Sequence, residues 1–280
     1  MPTSASPKRN AKARPPPRRF RQLGPLLILI AVGVLAVVVG ALPATLVQRL
    51  LPPTLHAEDS SGSLWHGSAG RLLVNDHDVG AIEWHIHPWP LLTLELAAQV
   101  HWVKIGFVVD AGVTIDRHGA TIRNLVGGGP IEDLRDLGIA GGWRGSAQLN
   151  FSAIELQFAN GADAGGALRV QSAVGELALS NFSAAQIAGG TDLGGYVLHI
   201  ASGAITPDAD ATAELADTGG PLEVRATVHY SGKEGRGLLE GTIRERPAAS
   251  AALRSQLEPL TSMHARDAQG RIPVELEFTL

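Results

Sequence analysis

The chain has 280 residues, with 23 Lys and Arg against 27 Asp and Glu, and no cysteine. The missing cysteine excludes disulfide staples, thiol nucleophiles, Cys-ligated zinc and iron–sulfur clusters, so burial and backbone pairing must hold any fold. Residues 1–22 hold seven of the cations and none of the acids, which leaves 16 cations against 27 acids, net −11, in the remainder. An acidic body argues against nucleic acid as a partner and against docking onto anionic headgroups.

Residues 1–22 are rich in Pro, Arg, Ala and Ser and lack apolar periodicity, and they read as a cytoplasmic, disordered basic arm. Residues 23–42, LGPLLILIAVGVLAVVVGAL, carry no charge. A helix of that length crosses the ~30 Å hydrocarbon core of a bilayer and satisfies its own backbone there. The cations Lys8 to Arg21 precede it and hold that side in the cytoplasm. The rest of the chain is therefore expected beyond the cell inner membrane, in the periplasm, behind a single-pass anchor. A cleaved signal peptide is the competing reading. Its apolar core would be ~7–15 residues, and the nearest small-residue site here, Ala41-Leu42-Pro43-Ala44, contains a proline.

Residues 43–59 read as a linker, with Pro43, Pro52 and Pro53 bracketing a short helical extension and Arg49 at headgroup level. Residues 60–280 read as a periplasmic β domain. Ile82, Trp84 and Ile86 alternate with Glu83, His85 and His87. Leu92, Leu94, Leu96, Ala98, Val100 and Trp102 form one face of a second, long strand. Further strands are expected near 106–115, 121–126, 177–179, 196–200, 222–230 and 238–244. In 149–158 the apolar phase flips after Ala153, which predicts a β-bulge. Pro130–Leu137 and Ala248–Leu260 have helix patterns. Ile272, Val274, Leu276, Phe278 and Leu280 alternate to the chain end and should face the same core as Val224 and Val228. Pro273 makes this an edge strand or points outward. The expected fold is mainly β: one N-terminal transmembrane helix plus an extended, curled antiparallel sheet with one or two short helices.

Trp65-His66-Gly67-Ser68-Ala69 recurs as Trp143-Arg144-Gly145-Ser146-Ala147. The repeat is consistent with two similar halves, 60–138 and 139–280.

No residues assemble into reaction chemistry. His85 and His87 share a strand face but lack a third ligand, so a solvated polar face is the better reading. Gly127-Gly128-Gly129 lacks the Lys and Ser or Thr of a phosphate loop and reads as a flexible turn. Glu58-Asp59 and Glu132-Asp133 read as surface, and no G-x-S-x-G elbow occurs. No catalytic residue, cofactor or metal is expected, and the chain reads as a non-enzyme.

The order of short motifs resembles protein N of the bacterial type II (general) secretion pathway. The basic tail, the span and Leu42-Pro43-Ala44 come first. Gly62, Trp65 and Gly67 then match a G-x-x-W-x-G signature. Gly80-Ala81-Ile82-Glu83-Trp84 and Pro88-Trp89-Pro90-Leu91-Leu92 are similar to the family's next block. Leu193-Gly194-Gly195-Tyr196, Gly219-Gly220 and the closing helix, Gly270 and strand follow, while residues 160–190 depart from the pattern. The resemblance implies an inner-membrane accessory or assembly component supporting export of proteins across the outer membrane. Its partners would be other inner-membrane subunits or the outer-membrane secretin. Gly62, Trp65, Gly67, Trp84, Pro88 and Trp89 are the motif residues, with structural roles expected for Trp65 and Trp84 over one end of the sheet core. A second likeness is to single-span periplasmic β-groove proteins that carry or bridge lipids. A continuous apolar inner face would favour that reading, and a filled core with a polar groove the assembly role.

Overall fold

Period-two alternation recurs along the chain, and the backbone follows it. The computed structural model describes residues 43–44, 55–75, 77–137, 142–158, 168–185, 187, 189–202, 210–231, 236–263 and 265–279. The basic arm, the apolar run 23–42 and most of 43–54 lie outside the described residues. Among those described, no helix is long and apolar enough to cross a membrane.

Thirteen strands form one antiparallel sheet in chain order. They are β1 (Leu55–Gly62), β2 (His66–Val74), β3 (His77–His87), β4 (Leu96–Lys104), β5 (Phe107–Ile115), β6 (Gly119–Pro130) and β7 (Trp143–Phe158). The others are β8 (Leu168–Ala184), β9 (Asp192–Ser202), β10 (Asp210–Gly219), β11 (Leu222–Ser231), β12 (Arg236–Glu245) and β13 (Ile272–Thr279). A 3-10 helix, Ile131–Leu137, follows β6, and the helix α1, Ala251–Met263, follows β12. The sheet is open, with β1 and β13 as its edges.

Register carries apolar rows across one face of nearly every strand. Ile82 faces Trp102, which faces Val109. Val113 faces Ile122, and Ile122 faces Ile154. Leu149 faces Leu177, then Leu198, Leu215 and Ala226 in turn. Val224 faces Ile243, and Ile243 faces Ile272. The other face is polar, as in the row Glu176, His199, Glu214, Thr227, Glu240, Glu275. The phase flip in β7 is a register shift between Phe151 and Ala153, as the sequence predicts.

Both helical covers join the same end of the sheet, called here the far end. One buried cluster gathers Leu193, Leu222, Ala249, Leu253 and Leu257 under α1. A second gathers Phe107, Ile131 and Ala147 under the 3-10 helix, and Phe182 packs against both. The opposite, near end carries the turns at 63–65, 88–95 and 116–118. Towards it the apolar face stays open: Val170 is 48% exposed and Leu276 57%.

Several sequence expectations need correction. β1 starts at Leu55, inside the stretch read as linker. Residues 91–94 are not strand, because Pro88 and Pro90 start a 3-10 turn, Trp89–Thr93, which Leu94 ends with φ 63°. The glycines 127–129 are not a flexible turn but lie within β6. A Cβ on Gly127 would sit 2.4 Å from Val108 O, and one on Gly128 2.5 Å from Ala147 O, so neighbouring backbones approach where only glycine fits. Glu132 and Asp133 are not idle surface either. Asp133 Oδ2 accepts the Gly106 N–H at 2.9 Å, and Glu132 Oε2 accepts that of Gly145 at 3.3 Å. With Asp136 Oδ2 3.8 Å from the buried Lys104 Nζ, the acids staple the 3-10 helix to the strand ends. The stretch 160–190 holds most of β8, one of the longest strands. In β13, Ile272 is fully buried, whereas Leu276 lies on the same face but in the open; Leu280 and the Phe278 side chain fall outside the described residues.

Two outcomes follow for stability. Ile272→Ala should cost ~2–5 kcal/mol in denaturant unfolding, while Leu276→Ala should change it by under about 0.5 kcal/mol. Equal costs would show that the near end is packed as well as the far end. Gly127→Ala should cost ~1–3 kcal/mol by overpacking against β5, and a variant melting like the parent would refute the close approach.

Candidate functional site

The near end brings the sequence motif together. Gly62 and Gly67 face each other where the β1–β2 hairpin closes. Gly62 has φ 87°, and a Cβ there would meet His66 O at 2.5 Å. The Ser63 N–H donates to His66 O at 2.7 Å and tightens the turn. Gly67 faces Trp84 across to β3, and the indole lies over it, 2.5 Å from where a Cβ would stand. Trp84 Nε1 donates to Leu64 O at 3.0 Å. The carbonyl of Trp65, which is half-buried, accepts the Ile86 N–H at 2.7 Å. Gly67 and the Trp84 ring thus form one joint that ties the first hairpin to β3.

Pro88 and Trp89 do something else. Pro88 is the N-cap of the 3-10 turn, which projects outward. Trp89 is 79% exposed, Leu92 80% and Leu94 83%, with Leu91 at 40%. Four large apolar side chains on one uncharged turn form an exposed patch of the kind that marks an interaction site. Pro43 makes an isolated antiparallel bridge with Ser63 at this same end, whereas β1 itself starts at the opposite end, where Leu55 pairs with Val74.

The polar face of β1–β5 forms an open cleft of about 690 Å³, lined among others by Ser68, His66, Glu83, His85, His101 and Asp110. His101 Nδ1 lies 2.7 Å from Asp110 Oδ1, and Ser61 and Ser68 share a hydroxyl hydrogen bond of 2.9 Å. Ser68, Glu83, His101 and Asp110 occupy one row on successive strands. Ser68 and His101 are two strands apart, roughly 9–10 Å at the usual spacing. That exceeds the reach of a base for its nucleophile, so the row is no hydrolytic triad. The rings of His66 and His85 lie 3.7 Å apart and those of His85 and His87 4.8 Å. Among the described residues, no three His, Cys, Asp or Glu side chains converge as metal ligands.

Crowding by neighbouring atoms, then the like charges of His66 and His87, hold His85 below the ordinary imidazole pKa of 6.5. At this site the folded chain therefore binds fewer protons than the unfolded chain near and below that value, and the site's contribution to stability falls as pH drops through it. The melting temperature should fall between about pH 7.5 and about pH 5, and less steeply in His85→Gln. Identical pH profiles for parent and variant would remove the His cluster as a cause.

Two of the features at this end were hidden in the sequence. The Leu-rich run after Pro88 hid the outward turn, because alternation continued through it. The bridge at Pro43 has no local signal at all.

The family model for type II secretion system protein N matches residues 53–275. No curated protein and no solved structure matches the chain.

Proposed function

The chain belongs to the type II secretion system protein N family, and from that premise we propose that it is an inner-membrane accessory component supporting export across the outer membrane. The family is an accessory component of secretion and not a known enzyme family, and membership implies contact with other secretion components. One observation carries the reading: the match begins before β1 and ends inside β13, so it reaches every strand of the sheet. The uncharged run 23–42, with its cations all on one side, supports a single anchor with the N-terminus in the cytoplasm and the sheet in the periplasm. The open sheet is read as curling along its apolar face, with inner-membrane subunits or the secretin engaging the edges or the polar face.

Deleting the gene should strand secreted enzymes in the periplasm, and a photocrosslinker at Glu58, on edge strand β1, should capture a secretion subunit. An alkaline phosphatase fusion after residue 60 should be active. Unchanged secretion with no subunit captured would end the assembly reading, and an inactive fusion would end the topology.

A second reading has its own support. The apolar face is continuous through the sheet and half-buried away from the two helices, which is a surface that an acyl chain could lie along. Phospholipid retained on purified protein, and lost on Leu198→Asp with Leu215→Asp, would favour lipid carriage.

A further inference from the structure

We infer that the turn Pro88–Leu94 dips into the lipid bilayer and seats Trp89, Leu92 and Leu94 at the boundary between headgroups and acyl chains. The inference rests on the reading of residues 23–42 as a membrane anchor, and four observations point to this use of the turn.

The first is exposure without a structural role. Trp89, Leu92 and Leu94 are each at least 79% exposed, and neither buried cluster includes them. Nothing within the sheet repays holding three large apolar side chains in water. A lone exposed residue such as Ile105, at the far end, is ordinary; a contiguous group is not.

The second is a backbone suited to an apolar medium. Pro88 and Pro90 have no N–H to satisfy. Leu91 N–H donates to Pro88 O, Leu94 N–H to Leu91 O and Glu95 N–H to Pro90 O, at 3.0–3.2 Å. The Thr93 hydroxyl donates to Pro90 O at 2.8 Å. Residues 88–94 carry no charge. These local hydrogen bonds leave fewer polar groups of the turn to be stripped of water.

Place is the third. Ile86 bonds to Trp65, and Ser63, two residues before Trp65, bridges Pro43. The turn and the Pro43 bridge therefore share one end, and the apolar run stops at Leu42. On the anchor reading the span ends one residue before Pro43, whose bridge to Ser63 lies at this end of the sheet. Two or three side chains bind a bilayer weakly alone, and tethering beside it makes the contact effectively intramolecular.

The fourth is charge. The chain beyond residue 22 is net −11, so attraction to anionic lipid does not hold it down. Apolar insertion remains, and Trp with Leu is the interfacial combination.

The test uses the full chain in vesicles of phosphatidylethanolamine and phosphatidylglycerol, with a share of phosphatidylcholine brominated near the headgroup. No Trp lies in or before the apolar run, and Trp89 is one of five in the chain. Brominated lipid should remove a minority of total emission in the parent protein. That loss should vanish in Trp89→Phe, persist in Ile105→Asp and survive high salt. Leu92→Asp with Leu94→Asp should reduce it several-fold while the melting temperature holds. Vesicle flotation separates the two readings. Protein that floats but shows no Trp89-dependent quenching retains its anchor and overturns the dip. Protein that does not float overturns both. Trp89 reached by aqueous acrylamide, or shielded from both quenchers by another segment or a second copy, overturns the dip as well.

Discussion

Covering one face of the sheet is the constraint on which the rest of this structure depends. Thirteen strands at ~4.8 Å spacing extend nearly 60 Å across. Against that, α1 at 13 residues supplies about 20 Å, and the 3-10 helix at seven residues about 14 Å. Two such covers cannot close an apolar face that runs through almost every strand. They are both spent at the far end, where the buried clusters lie. Packing is therefore polarised along the strands: dense where the helices sit, open towards the turns at 63–65, 88–95 and 116–118.

Polar groups do the fastening where apolar cover is thin. The 3-10 helix is held by its acids as much as by Ile131, since Asp133 and Glu132 each satisfy a backbone N–H on a strand end. Lys104, buried at 5% exposure, donates to Asp78 O and faces Asp136, so its charge keeps partners while its stem packs. At the far end the Asp217 carboxylate, 6% exposed, meets Arg246 at 2.7 Å and accepts the Val224 N–H at 3.1 Å. That contact links β10 and β11 to the chain entering α1 by an ion pair shielded from water on one side. At the near end Asp116 Oδ1 accepts the N–H groups of His118 and Gly119 at 2.7 and 2.9 Å and closes the β5–β6 turn, while the joint of Gly67 under Trp84 is a contact of shape and one hydrogen bond.

The sequence was most legible where one residue's neighbours decide its state. Alternation located the strands from 82 to 126 and from 222 to 279, and the flip after Ala153 located the bulge, because side-chain period is a local property of the strand. It misled where two rules competed. In Leu91–Leu96 the alternation argued for strand while Pro88 and Pro90 argued for a turn, and the fixed proline φ won. Gly127-Gly128-Gly129 looked flexible because permissiveness is glycine's local property, whereas close approach of β5 and β7 is a tertiary one. The Trp-x-Gly-Ser-Ala pentapeptides open β2 and β7, strands of opposite direction in a sequentially paired antiparallel sheet. The motif residues were legible as a set, with Trp65 and Trp84 expected over one end of the core, but not that Trp89 would turn outward. Trp84 lies in an alternating run, Ile82 to Ile86, whereas Trp89 lies between Pro88 and Pro90, and only the turn those prolines start carries it away from the sheet.

An open sheet of this size must also avoid pairing with further copies of itself, and its two edges differ in how they do so. On β13 the proline removes one donor, while Glu275 and Glu277 are exposed. Glu275 also ends a row with Glu240 beside it, so a third acidic strand arriving there would meet like charge. β1 has no proline within it. Its protection is conformational: Asp59 takes φ 53°, and the ladder to β2 passes from Glu58 to Ser60 without pairing it. A residue in the left-handed region breaks the straight line that a docking strand needs, and Glu58 beside it adds charge. Both devices block indiscriminate strand addition but leave the edge backbone exposed. A partner that matched the kink at Asp59 could still pair with β1, and one lacking the complementary kink would be refused. The edge with the bend is thus the more selective of the two, and Pro43 bridges Ser63 just beyond the end of that strand.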